Sequence, residues 1–233
     1  TLGDVFNENV TFTNNSNREL NIAVNSNTSF LGNVILNSTS TGGILIGSSS
    51  GSATLASGKT ISIGGSGFAA DYLTLRNFTQ SGSTAQTLTL TSTAIVNMIS
   101  CTFNGNLTVS SPGFLLKNSI FNGTSSFTRT ATSGNYQSDG GNAFNGSVTV
   151  DNSGTSGRVR WATVSADAYN GNATFNSSGG QDVQIAYSGD NLFAGDITIN
   201  SNKVVFNTAS GKVTFTGGNA QTLNGSYNYP FKK

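Results

Sequence analysis

Phe144-Asn145-Gly146-Ser147-Val148-Thr149-Val150 is the stretch on which the reading of this chain turns, because the chain rewrites it repeatedly. An aromatic (once a Phe-Leu pair), a tight polar turn and an alternating strand recur from Phe6, Phe30, Phe103, Phe121, Phe144, Tyr169 and Phe193. The spacings are 24, 18, 23, 25 and 24 residues, with one gap of 73, about three periods, between Phe30 and Phe103. A period of roughly 20 to 25 residues indicates a solenoid rather than an ordinary globular core.

Aligned on the aromatic, the copies form columns. Four residues on stand Val10, Val34, Leu107, Ser125, Val148, Ala173 and Ile197; six residues on stand Phe12, Leu36, Val109, Phe127, Val150, Phe175 and Ile199. Between them lie Thr11, Ile35, Thr108, Ser126, Thr149, Thr174 and Thr198. That is a period of two, with apolar side chains on one face and mostly hydroxyls on the other. Copies one period apart run the same way, so they pair in parallel, and the rest of each period supplies the crossover that parallel pairing needs. The crossover holds a second alternating stretch (Leu20/Ile22, Ile44/Ile46, Val159/Trp161, Val183/Ile185), followed by the small residues Ala23, Gly47, Ala162 and Ala186. The expected fold is all-β: a parallel β-helix, or β-solenoid, right-handed, of about ten coils of 18–25 residues. The recurring aromatics are expected in one continuous inner stack, with the hydroxyl columns turned outward.

The whole chain, 1–233, reads as one solenoid segment of a longer protein. Residues 1–53 and 101–203 hold regular coils, and 54–100 hold irregular ones without the Phe-Asn-Gly mark. Residues 204–233 begin a further repeat, since Ala56-Ser57-Gly58-Lys59 returns as Ala209-Ser210-Gly211-Lys212 and Ala85-Gln86-Thr87-Leu88 as Ala220-Gln221-Thr222-Leu223. The closing Tyr229-Pro230-Phe231-Lys232-Lys233 reads as an interrupted coil, and neither end carries a polar cap. Unpaired edges there invite pairing with further repeats of the same chain or with other copies end to end.

Gly, Asn, Thr and Ser number 29, 30, 30 and 33, more than half of the 233 residues, while charged residues are only 9 %. The alternating Val, Ile, Leu and Phe still mark an ordered chain. A net charge of +1 provides no field for steering towards nucleic acid. No apolar run approaches the roughly 20 residues of a membrane-spanning helix, so no membrane insertion is expected. At the Asn-Gly turns, Gly is expected to supply a positive φ; Glu8 replaces it in the first coil, so that turn should differ or be strained. Asn side chains stacked coil upon coil can hydrogen-bond in ladders.

These Phe-Asn-Gly-x-Val-Thr-Val copies resemble the repeats of very long surface proteins of Bacteroidota. So do the runs Ala56-Ser57-Gly58-Lys59-Thr60-Ile61-Ser62-Ile63-Gly64 and Phe215-Thr216-Gly217-Gly218-Asn219-Ala220-Gln221-Thr222-Leu223. That group includes the gliding-motility adhesins exported by the type IX secretion system. The resemblance implies an extracellular, cell-surface protein of filamentous shape that acts in adhesion.

Chemistry is sparse. With no His and one Cys, Ser-His-Asp and Cys-His catalysis and His/Cys zinc sites are excluded within the chain. The densest acids are Asp182, Asp190 and Asp196, with Asp167 one coil earlier; a glycosidase pair or a calcium site would need such a group, but solvated turn residues are favoured. Gly58-Lys59-Thr60 matches the end of a phosphate-binding loop, yet the earlier Gly would fall at Ala53 and no helix follows. Alternation turns Val159 and Trp161 inward and Arg158 and Arg160 outward. Tyr72, Tyr136, Tyr187, Tyr227 and Tyr229 could stack on sugars. Cys101 reads as a buried filler. No catalytic, cofactor-binding or metal-binding residue is assigned and no cofactor is expected. The preferred reading is a non-enzymatic structural and adhesive segment, a rigid stalk or filament for attachment or gliding, with surface polysaccharide as a partner. The alternatives are a carbohydrate-binding or carbohydrate-active β-helix and an ice-binding β-solenoid. The ice-binding alternative needs a regular second Thr column, which Asn37, Asp151, Asn176 and Asn200 break.

Overall fold

Short alternating segments rich in Val, Ile, Thr and Phe, punctuated by Gly and Asn, favour strands over helices. The computed structural model describes residues 3–91, 93–206 and 209–225, and these contain strands and turns but no helix. The strands pair in parallel and stack as a β-solenoid with three walls. An aromatic wall of ten strands runs from Val5–Phe6 to Val213–Phe215. A hydroxyl wall consists of a block of three strands, Val10–Asn14 to Ile61–Phe68, and a block of seven, Gln86–Thr89 to Leu223–Asn224. The third wall holds five strands from Leu20–Ile22 to Gly113–Lys117 and four from Tyr136–Gln137 to Val204–Phe206. Among the described residues ten strands on one wall make about nine turns, in line with the roughly ten coils expected. At about 4.8 Å per turn the stack is about 43 Å long. The expected closing coil, Tyr227 and Tyr229 included, lies outside the described residues.

The aromatics do stack, in two runs rather than one. Phe6 faces Phe30 in register with ring centroids 5.3 Å apart. Phe103, Phe121, Phe144, Tyr169 and Phe193 then follow at 6.0, 5.1, 5.0 and 4.4 Å, all with nearly parallel rings. Between the runs, Leu55 and Gln80 occupy the aromatic's place in register. On the aromatic wall the 73-residue gap is therefore two coils whose marker residue has changed. Phe12, Phe127 and Phe175 of the hydroxyl wall meet the stack edge-on, the geometry the aromatic quadrupole favours.

Glycine serves the turn differently from expectation. Gly105, Gly123, Gly146, Gly171 and Gly195 are absent from the residues with positive φ. What fixes them is the preceding coil: a Cβ on Gly146 would stand 2.4 Å from the carbonyl oxygen of Gly123, and one on Gly171 2.5 Å from that of Gly146. Glu8 stands at the equivalent place in the first described coil, and Gly32 of the second coil closes on it. Positive φ belongs instead to the corner after the third-wall strand: Ala23 (58°), Gly47 (79°), Ala162 (56°) and Ala186 (50°), the small residues marked by their spacing. In the middle coils Asn77, Ser100 and Asn118 adopt the same conformation at 47°, 56° and 50°.

Two buried glutamines patch the irregular region. The register slips between Leu36 and Ser38 against the long strand Ile61–Phe68. Across the next step Gln86, 1 % exposed, accepts the Ile61 N–H through Oε1 at 2.9 Å and donates Nε2 to the Lys59 carbonyl at 3.0 Å. Gln80, in the aromatic column, accepts the Gly105 N–H and donates to the Thr84 carbonyl. The side-chain amides thus meet backbone groups that the ladder leaves unpaired. The first sequence echo falls at different places, since Ala56–Lys59 follows an aromatic-wall strand and Ala209–Lys212 precedes one, whereas both copies of the second lead into the hydroxyl wall.

Polar residues also enter the core in two columns. At the corner between the hydroxyl and third walls, Arg129 is fully buried; it donates to Asn152 Oδ1 at 2.8 Å and to the Ser133 and Gly134 carbonyls at 3.0 and 2.8 Å. Two residues before each aromatic, Cys101, Ser119, Asn142, Asp167 and Asn191 form the second column. Each side chain from Ser119 onward accepts the backbone N–H of the preceding member at 2.9–3.1 Å. Asp167 also accepts from Asn142 Nδ2 at 2.9 Å, while its Oδ2 and the Tyr169 hydroxyl have no partner among the described residues. Burial pushes the Asp167 carboxyl up from 3.8 to about 7, against the lowering effect of the Asn142 donors.

Two measurements test this architecture. In urea unfolding, Phe144→Ala should cost about 3–5 kcal/mol and Gly146→Ala about 1–3 kcal/mol, with Thr149→Ala within about 0.5 kcal/mol; a neutral Gly146→Ala would contradict the close coil contact. For Asp167, both folded and unfolded forms are protonated below about 3.8. Between there and about 7 the unfolded chain releases a proton that the folded chain keeps, so stability falls as pH rises and levels off above about 7. Asp167→Asn, which preserves the Oδ1 acceptor, should remove this fall and gain on the order of a few kcal/mol at pH 8. Parallel pH curves for the two proteins would refute it.

Candidate functional site

The acids that look clustered in the sequence are separated by the fold. Asp182 precedes a third-wall strand, Asp190 an aromatic-wall strand and Asp196 a hydroxyl-wall strand, so the three sit at three different corners of one coil. Asp190 Oδ1 accepts the Lys212 N–H at 2.9 Å and Asp196 Oδ1 the Thr222 N–H at 2.8 Å. Asp167 lies in the interior column. No two of them line one groove as a glycosidase pair would, and among the described residues no three His, Cys, Asp or Glu side chains come close enough to hold a metal ion.

The other candidates also resolve into packing. Val159 and Trp161 are fully buried, as alternation indicates. Arg160, outside, donates Nε to Gln184 Oε1 at 2.9 Å and lies 4.5 Å from the Tyr187 ring centroid. Tyr72 covers Gly43, where a Cβ would meet its ring at 2.1 Å, and donates its hydroxyl to Glu19 at 2.7 Å. That hydrogen bond, together with burial, pushes the Tyr72 phenol up to about 12. Tyr136 packs over Gly113 with the Arg129 guanidinium 5.3 Å from its centroid. Cys101 is buried with Sγ 3.1 Å from the Leu75 carbonyl, and desolvation pushes its thiol up to about 12, which suits a filler and not a nucleophile. Lys59 sits in a turn between strands, with no helix to form a phosphate loop.

What the outer surface does offer is repetition. On the hydroxyl wall Thr87, Thr108, Ser126, Thr149, Thr174 and Thr198 stand in one register column. A second column, two residues on, reads Thr89, Ser110, Thr128, Asp151 and Asn176, so the double-hydroxyl grid ends after three rows. At the corner between aromatic and hydroxyl walls the Asn of each Asn-Gly step forms a ladder. Asn170 donates to Asn145, Asn145 to Asn122 and Asn122 to Asn104 at 2.6–2.7 Å, and Asn104 ends the run on the Gln80 carbonyl at 2.7 Å. Three residues after the aromatic, Asn9, Asn33, Asn106, Asn172 and Asp196 use side-chain oxygens to accept a backbone N–H of the following coil.

Sequence reasoning placed the outward hydroxyls and the Asn ladder; it missed Arg129 and Gln80. Arg129 carried one signal: alternation from Phe127 turns it inward. A comparison of this chain with protein families, with curated proteins and with solved structures finds no match.

Proposed function

We propose that this chain is a structural and adhesive segment of a secreted bacterial cell-surface protein, a rigid stalk or filament for attachment or gliding, without enzymatic activity. The observation that carries this reading is the continuous parallel stack whose outer columns are hydroxyl and carboxamide ladders, with its acids dispersed to separate corners. The likeness of the Phe-Asn-Gly-x-Val-Thr-Val copies to gliding-motility adhesins of type IX secretion supports the same placement outside the cell. Contacts along such a surface are individually weak and gain strength by number. Partners on this reading are further repeats or other copies end to end, and surface polysaccharide; nucleic acid has no place in it, the net charge being +1. The interrupted hydroxyl grid favours a stalk over an ice-binding plane.

Beads carrying many copies should be retained on a polysaccharide-coated surface about 10²–10⁴-fold more strongly than the monovalent chain. Equal retention would remove the adhesive role. Incubation with a panel of polysaccharides should release no new reducing ends or unsaturated products; release of either would establish the carbohydrate-active alternative.

A further inference from the structure

A groove of about 460 Å³ follows the corner where the third wall turns towards the aromatic wall. Its base is an in-register row, Arg76, Ile99 and Lys117, on three successive coils. Alternation turns these side chains outward, since Leu75, Met98 and Leu116 beside them are buried. The left-handed residues that follow, Asn77, Ser100 and Asn118, swing the chain away and form one bank. Arg76 and Lys117 are two coil steps apart, about 10 Å along the axis.

The charges in the groove are unevenly matched. Lys117 Nζ lies 3.0 Å from Asp139 Oδ2, with side chains 43 % and 21 % exposed. The Arg76 side chain has no ion-pair or hydrogen-bond partner among the described residues, and its Nε is buried without an acceptor. A buried N–H with nothing to donate to is unfavourable, and such a group in a groove calls for an explanation. The guanidinium fork suits a carboxylate. At the far end Asp139 offers an acceptor, and the Asn118 amide and Ser100 hydroxyl make no side-chain hydrogen bond among the described residues, so that end suits hydroxyl groups. Between them Ile99 and Leu115 give a partly exposed aliphatic floor for the C–H face of a ring. A run of acidic residues or phosphates would set a second negative charge against Asp139. A ligand with one carboxylate surrounded by hydroxyls would not.

We propose that this groove binds an acidic saccharide carrying a single uronate among neutral sugars, with the carboxylate on Arg76 and ring hydroxyls on Asp139, Asn118 and Ser100. The proposal stands independently of the stalk reading, because a groove on one corner would serve any displayed solenoid.

The test is titration of a fluorescent aldotriouronate, one glucuronate on two neutral xylose units, with the full chain at low salt, beside the neutral xylo-oligosaccharide and a poly-aspartate peptide. Saturable binding of the uronate alone is expected, weakened about tenfold or more in Arg76→Gln. Absence of uronate binding, or equal binding by Arg76→Gln with wild-type thermal unfolding, overturns the proposal. Equal affinity for poly-aspartate overturns it in favour of an acidic peptide. Should Arg76→Gln fail to fold, Lys117→Gln carries the comparison: weaker binding supports the site and unchanged binding refutes it. Bead retention plays no part in this readout, so failure of the stalk reading and failure of the groove are told apart.

Discussion

Backbone hydrogen bonds between successive coils hold them about 4.8 Å apart, and each residue must therefore tolerate a near copy of itself directly above and below. Flat rings pass this test by stacking, and Phe121, Phe144 and Tyr169 do so at 5.1 and 5.0 Å. Asn passes by donating to the next Asn. Gly is required where the backbones close on each other, as Gly146 does on the Gly123 carbonyl. Like charges in register repel, which accounts for a chain only 9 % charged and rich in Asn, Thr and Ser. The same rule separates Arg76 from Lys117 by the neutral Ile99.

The interior shows that a solenoid core need not be wholly apolar. The column from Cys101 to Asn191 places an acceptor against a backbone N–H on each coil, and shifting the stack by one residue would leave all of these unmet. Such a column adds register specificity to a pile of otherwise interchangeable rings. Asp167 is the member that does not match its neighbours, since Asn142 and Asn191 present the same acceptor without a titratable group.

Much of this architecture was legible because a column in space is a period in sequence. The Phe-Asn-Gly mark identified the aromatic wall, alternation identified the hydroxyl wall and the inward Trp161, and the small residues after the second stretch marked the corner with positive φ. What escaped were places where one residue type substitutes for another by function rather than likeness. Gln80 replaces a Phe because it satisfies backbone groups of the adjoining turns, the Gly105 N–H and the Thr84 carbonyl. Glycine was recognised for the wrong reason, since contact with the neighbouring coil, invisible within one copy, outweighs its own dihedral. The cluster Asp182, Asp190 and Asp196 looked dense in sequence because one coil passes three corners within about twenty residues. Closeness along the chain here means separation around the circumference.

The ladder from Asn170 down to Gln80 has one further property. Its four carboxamides share a single orientation, nitrogen towards the first coil and oxygen towards the last. Reversing one would set two donors face to face, so they turn together or not at all. Their dipoles add along the edge like those of a helix, leaving the Asn170 oxygen as the electron-rich terminus beside Ala194. A water molecule, hydroxyl or cation meeting this edge thus encounters a polarity that runs the length of the ladder.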